Sequence, residues 1–255
     1  MKSMTALVQR VGFRLAVILS LVVWFYLGVV YFSLPSEQDI QNTCFRTKMF
    51  GVELCEKRKN YVRLGAVPKH FINLLLLAED ASFWSHQGFD WEEIKNSFVT
   101  NWEKGYFARG GSTITQQLAR NLFLNRQKNL HRKLLEAIIT MRLEALLTKK
   151  QILERYINVV QFGQNVFGIS QASNYYFKKS PNLLRPEESA FLVMLLPNPE
   201  RNAKSFYQKK LTRFAEGRIK TLLRKLWITQ GISDEEYQAS LVRLPSIFEG
   251  HDQVE

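Results

Sequence analysis

Two adjacent carboxylates, Glu79 and Asp80, close an apolar run in LLLLAEDASFWSHQGFDW, residues 74–91. Desolvation by such a run raises a carboxyl pKa, which suits a general base or acid near neutral pH. On a helix, neighbouring side chains point in different directions, so the pair is not by itself a catalytic dyad. A helix end at the surface is the plainer reading of the same residues. His86 is a second candidate base or a packing residue. The other histidines show no HExxH or comparable metal spacing.

A second group of candidates lies in GGSTITQQLARNLF, residues 110–123. Gly110 and Gly111 permit a tight turn. Ser112 and Thr113 could cap the helix that follows, and Gln116, Gln117 and Arg120 then fall on its first turns. Free helix amides and a basic side chain make an anion or sugar-phosphate pocket, although plain capping explains the hydroxyls equally well. The P-loop pattern is missing. In HRKLLEAI, residues 131–138, Arg132, Lys133 and Glu136 sit within about one turn. They read either as a surface pair at i,i+3 or as cations that hold a pyrophosphate beside an aligning carboxylate. Glu136 would then be the second acid that a glycan site needs.

The elements that carry these residues are helical. Pro68 opens a pattern with Phe71, Leu74, Leu75 and Leu77 on its apolar side. Leu134, Leu135, Ile138, Ile139, Met141, Leu143 and Leu146 recur at three- and four-residue spacing, with a break expected near Thr148 and a new helix from Lys150. Residues 186–196 make another helix, stopped by Pro197. Alternating strand patterns are scarce, so the spacing predicts a mainly α fold with at most a small sheet. Residues 201–227 are strongly basic, with an apolar stripe of Leu211, Phe214, Ala215, Leu222, Leu223 and Leu226.

Residues 15–36 carry no charge and would reach roughly 33 Å as a helix, enough to cross a bilayer. The run is too long for a cleaved signal, and no Ala-x-Ala site follows it. Lys2, Arg10 and Arg14 precede it, and Glu37 and Asp39 follow, so the amino end is expected in the cytoplasm and the large domain across the membrane. With that placement the formal charge of +12 points to anionic lipids or pyrophosphates and away from nucleic acid. Cys44 and Cys55 have no metal-site spacing. They are either free thiols or, outside the cytoplasm, a disulfide.

Taken in order, EDASFWSHQGFD, GGSTITQQLARNLF, RKLLEAI, KKQILERYINVVQFG, GISQASNYYF and RPEESAFLVMLLPNP resemble the peptidoglycan glycosyltransferase family. This moenomycin-sensitive domain precedes the transpeptidase of class A penicillin-binding proteins and stands alone in monofunctional transglycosylases. The resemblance runs from Val67 to Pro199. It implies a lysozyme-like, mainly α glycosyltransferase domain at 67–199. Before it come a cytoplasmic end (1–14), a transmembrane signal-anchor (15–36) and a connector (37–66), and after it a basic helical extension (200–255). It implies polymerisation of lipid II, with Glu79 as base and Glu136 as second carboxylate. Arg132 and Lys133, and on some readings a divalent ion such as Mg or Mn, would serve the pyrophosphate. Ser112, Thr113, Gln116, Gln117 and Arg120 would line or shape the site, with Tyr156 and Asn158 as surrounding architecture. Implied partners are lipid II, the lipid-linked strand, the inner membrane with the domain on its periplasmic side, and other wall-synthesis proteins. Two departures stand out: Ala81-Ser82 where relatives carry Arg or Lys, and Arg120 where some carry Lys. The residues after 199 leave no room for a transpeptidase and hold no KTG or SxxK–SDN set. A glycan-cleaving muramidase and a non-catalytic scaffold are the rival readings.

Overall fold

The computed structural model describes residues 2–106, 110–127 and 129–249, with side chains from residue 12 onward. The side chains of Lys2 and Arg10, and the last residues of the basic extension, lie outside the described residues. Helix α1 (Lys2–Ser33) is unbroken. Its mean hydropathy reaches 2.4, and only 6% of that apolar window is buried. Phe25 and Phe32 are among the side chains turned outward. A helix apolar on every face and covered on almost none is stable in lipid rather than water, and this one is long enough to span a bilayer.

The chain is pinned as it leaves α1. Ser36 and Asp39 form a capping box that starts α2 (Glu37–Gln41). Arg142 donates to the Pro35 carbonyl at 2.7 Å, and Arg155 donates to that of Ile40. Strands β1 (Cys44–Arg46) and β2 (Glu53–Cys55) then pair antiparallel. Cys44 and Cys55 are joined in a disulfide, so the free-thiol alternative does not hold. The expected polar connector is thus a folded, cross-linked hairpin.

Helix α3 (Lys69–Glu79) buries Phe71, Leu74, Leu75 and Leu76. Helix α4 (Trp91–Lys104) leads to α5 (Ile114–Phe123), which packs on α6 (Leu130–Leu146) and α7 (Lys149–Val159). Thr148 breaks α6 from α7 by capping the Gln151 amide. A small hairpin, β3 (Gln161–Gly163) with β4 (Val166–Phe167), precedes α8 (Gly168–Phe177). Helix α9 (Pro186–Leu195) is buried along its whole length and forms the centre of the core. Short α10 (Pro199–Asn202) and α11 (Lys204–Tyr207) lead to α12 (Arg213–Ile228) and α13 (Asp234–Arg243).

The core continues past residue 199, because α12 packs on both α3 and α9. Its buried stripe is Ala215, Ile219, Leu222, Leu223 and Leu226, while Phe214 is 66% exposed. The expected place of Phe214 in that stripe is corrected: the side that carries Ile219 faces inward. Arg213, Lys220 and Arg224 are on the solvent side.

Helix α13 is clasped to α9 by Arg243, whose Nε and Nη2 donate to the two oxygens of buried Glu187 at 2.7 and 3.1 Å. Burial raises the Glu187 pKa, but the bonds and charge of Arg243 outweigh it and hold the group below its ordinary 4.5. A depressed carboxyl pKa stabilises the fold above the unfolded value, and the contribution is lost as pH falls through the folded value. Arg243→Ala is expected to cost about 2 kcal/mol near pH 7, at the low end for a broken buried pair because Arg243 is itself partly in water. Thermal melts should show the gap from wild type closing in acid.

Candidate active site

The structure separates the two opening carboxylates. Asp80, just past the end of α3, is buried, and its Oδ2 accepts from the Ile114 amide at 2.8 Å. A carboxylate on the first amide of a helix is favoured by the helix dipole, so Asp80 locks α5 to the end of α3. Its Oδ1 meets His86 Nε2 at 2.9 Å. His86 is therefore an Asp80 partner in this structure. Nearby, Ser82 donates to Asp90, which also caps α4 through the Glu93 amide at 2.8 Å. Ser82 thus uses its hydroxyl to fix the loop between α3 and α4.

Glu79, on the last turn of α3, is left for other work. Gln117 Nε2 donates to its Oε2 at 3.0 Å, and the Tyr156 hydroxyl donates to Gln117 Oε1 at 2.9 Å. Tyr156 is fully buried, so a rigid donor from α7 orients the amide that orients the carboxylate. Desolvation raises the Glu79 pKa above 4.5. The Gln117 bond and the charges of Arg218 and Arg120 oppose that rise, and Asp80 adds to it. The result is a carboxylate that keeps affinity for a proton. Gln117→Leu removes the first opposing influence, so the acid limb of a pH–rate profile should move to higher pH. A profile with an unmoved limb would detach Gln117 from the base.

The α5 entrance is built by the other residues of GGSTITQQ. Gly111 approaches α4 so closely that a Cβ there would lie 3.2 Å from Ile94 Cα. Gly88 has φ +90° and a Cβ there would meet Thr140 at 2.7 Å, so a side chain at Gly88 is strained and one at Gly111 requires α4 to give way by a few tenths of an ångström. Thr113 caps α5, and its hydroxyl donates to the Gly88 carbonyl at 2.7 Å. Gln116 closes the capping box from inside, with its Oε1 accepting from the Thr113 amide at 2.9 Å. Both are buried, which places them among the residues that fix the helix start, whereas Gln117 and Arg120 face the site. Ser112 is half-buried beside them. Asn158 serves the backbone, bonding both polar atoms of Val62.

Across α5, buried Glu136 accepts from Arg132 Nη1 at 2.9 Å and Lys133 Nζ at 2.5 Å. Arg132 Nε is buried with no hydrogen-bond partner among the described residues. Arg132 also lines a cleft of about 360 Å³ together with Arg120, Arg126, Met49 and Phe50. The cleft's other polar groups are Gln161 and a single carboxylate, Glu200. Guanidiniums outnumber carboxylates on this lining, although Arg132 already gives one bond to Glu136, and guanidinium matches phosphate geometry. A second cavity of about 700 Å³ adjoins Arg132 and is walled by Phe32, Leu34 and Pro35 at the end of α1 and by Phe45 and Leu135. Asp39, Arg46, Lys48 and His131 line its polar side, so a mixed apolar and polar chamber beside the end of α1 meets the cationic cleft at Arg132.

A protein-held divalent ion does not fit these residues. Both oxygens of Glu136 already take cations, and no group of three His, Cys, Asp or Glu suited to a metal occurs among the described residues. The positive charge that the described residues themselves supply at this site comes from guanidinium and ammonium groups.

Tyr156, expected as surrounding architecture, is the far support of Glu79, whereas Arg126 in the loop after α5, Arg218 on α12 and the hairpin residues Met49 and Phe50 are not among the residues that the sequence marks. The basic run from Arg126 to Lys133 is a visible signal for Arg126. The others depend on packing between distant segments.

Residues 47–226 match the family model described as Transglycosylase. The biosynthetic peptidoglycan transglycosylase of Aromatoleum aromaticum is 43% identical over 151 residues, covering 59% of this chain and 66% of that protein. The protein of the same description from Nitrosospira multiformis is 35% identical over 212 residues, 81% of this chain and 92% of that one. A crystal structure of penicillin-binding protein 1A from Haemophilus influenzae aligns with a TM-score of 0.41 and 21% identity, over 78% of this chain and 20% of that one.

Proposed function

The chain belongs to the transglycosylase family, and from that membership we propose that it polymerises peptidoglycan glycan strands from lipid II at the membrane surface. Glu79 takes the proton from the C4 hydroxyl of the acceptor GlcNAc. That oxygen attacks C1 of the lipid-linked MurNAc, the C1–oxygen bond to undecaprenyl pyrophosphate breaks, and an α-linked donor becomes a β-1,4 bond. A single displacement accounts for the inversion. The leaving group is a pyrophosphate, whose developing charge needs preorganised cations more than it needs a proton. Arg120 and Arg132 supply them, with Lys133 beside Glu136. Glu136 holds Arg132 and Lys133 in place rather than reacting itself.

The observation that carries this reading is a proton-seeking carboxylate, Glu79, held by Gln117 within reach of the charge of Arg120, which also lines the cationic cleft. A glycan-cleaving enzyme has no pyrophosphate leaving group for Arg120 and Arg132 to meet. The membrane helix keeps the enzyme in the plane of its lipid substrate. The Cys44–Cys55 disulfide suits an oxidising compartment, which supports the domain lying outside the cytoplasm as the charges flanking α1 predict.

The test is incubation of the purified full-length chain with lipid II in detergent. The expected product is a muramidase-sensitive strand whose formation moenomycin blocks. Shortening of preformed glycan with no extension of lipid II would remove the assignment.

A further inference from the structure

The hairpin before the domain has no role in the chemistry above, yet its tip forms one wall of the cationic cleft. The hairpin is small: each strand has three residues, and a two-stranded ribbon of that length is marginal in water. Two things hold it. The disulfide closes its open end. At the tip, the Lys48 and Met49 amides donate to the Leu122 and Asn121 carbonyls at 2.9 and 3.4 Å, capping the last turn of α5. Phe45 stacks on Phe123 of the same turn, with centroids 5.8 Å apart.

The tip then presents Phe50. Its ring centroid lies 5.0 Å from that of Phe167, and the Arg126 guanidinium sits over the Phe50 ring, 4.9 Å from its centroid. Arg126 belongs to the exposed loop between α5 and α6, where a long side chain left alone samples many rotamers. A cation over an aromatic face loses that freedom in advance and keeps its N–H edge for a ligand.

We propose that Arg126 is a third phosphate-binding cation of the cleft, and that the disulfide-closed hairpin is the clamp that positions it through Phe50. This rests on the cleft being the pyrophosphate side of the polymerase reaction. Arg126 binds the anion. Phe50, Cys44 and Cys55 are positioning residues that act through it.

The test uses the full-length protein in detergent with geranylgeranyl pyrophosphate as a binding probe and lipid II as substrate. Arg126→Gln should weaken probe binding and raise KM for lipid II about tenfold, the effect of losing one charge-assisted contact, with kcat changed by less than about twofold. Phe50→Ala and the double variant Cys44→Ser/Cys55→Ser should move the same two quantities in the same direction, and Phe50→Tyr should restore them. In an Arg126→Gln background neither change should add to the loss, because both act on one group. If the cysteine variant fails to fold, Phe50→Ala carries the comparison. Wild-type probe affinity in Arg126→Gln would overturn the proposal, as would a Phe50→Ala effect fully additive to it. Arg126-dependent binding of the probe by a wild-type protein that cannot extend lipid II would support the clamp and overturn the polymerase reading.

Discussion

Glu79→Gln is expected to cut lipid II turnover by about a thousandfold, within the range for loss of a general base, while the melting temperature stays the same or rises. The two halves of that result have one cause. The desolvation that makes Glu79 seek a proton also makes its ionised form a cost to the fold. A raised carboxyl pKa contributes stability only at low pH, and above the folded value the charge is a burden. Glutamine removes the charge and keeps an oxygen to accept from Gln117, whose own partner Tyr156 is undisturbed. Turnover and melting curves on the same preparation decide the matter. Full activity would remove Glu79 as the base, and a large drop in melting temperature would make it a structural residue.

Glu136→Gln should behave differently, losing both turnover and stability. Glu136 is buried and pairs with two cations, one of them the largely buried Arg132. Removing one partner of a buried pair strands the other's charge, at about 3 kcal/mol. Arg132 would then leave its position between the cleft and the chamber beside the end of α1. Activity should fall with a raised KM as well as a lower kcat, since both binding and departure of the pyrophosphate use that guanidinium. Chemical denaturation with steady-state kinetics checks this. A variant that loses activity at wild-type stability would place Glu136 at the reacting atoms, not behind the cations.

The contrast between the two carboxylates was only partly legible in the sequence. The apolar run before Glu79 and the cations before Glu136 are local patterns, and they survive in the structure as a desolvated carboxylate and a triple ion cluster. The division of labour between Glu79 and Asp80 is not local. It depends on the α5 amide of Ile114, which reaches Asp80 from 34 residues away. The Tyr156–Gln117–Glu79 relay spans three helices for the same reason.

Helix α9, bounded by proline, and the break between α6 and α7 were readable to within a residue or two, whereas the start of α6 was not: the periodic region runs on from Asn121, but residues 124–127 are not helical. The hairpin was not, because three-residue strands are too short to show alternation and no tight-turn dipeptide joins them. Its order comes from a disulfide and from α5. The phase of α12 was misread at Phe214 because Leu211, Phe214, Ala215 and Leu222 fit one helical stripe as well as Ala215, Ile219, Leu222 and Leu226 fit another. Packing on α3 and α9 chose the second.

The most direct measurement is the configuration of the new glycosidic bond, read by NMR on strands made from lipid II by the full-length protein, with released undecaprenyl pyrophosphate counted alongside. A base at Glu79 facing a cation-stabilised leaving group predicts a β linkage and one lipid pyrophosphate released per bond formed. An α linkage, which a covalent double displacement would leave, or release of lipid pyrophosphate without chain growth, would contradict the account.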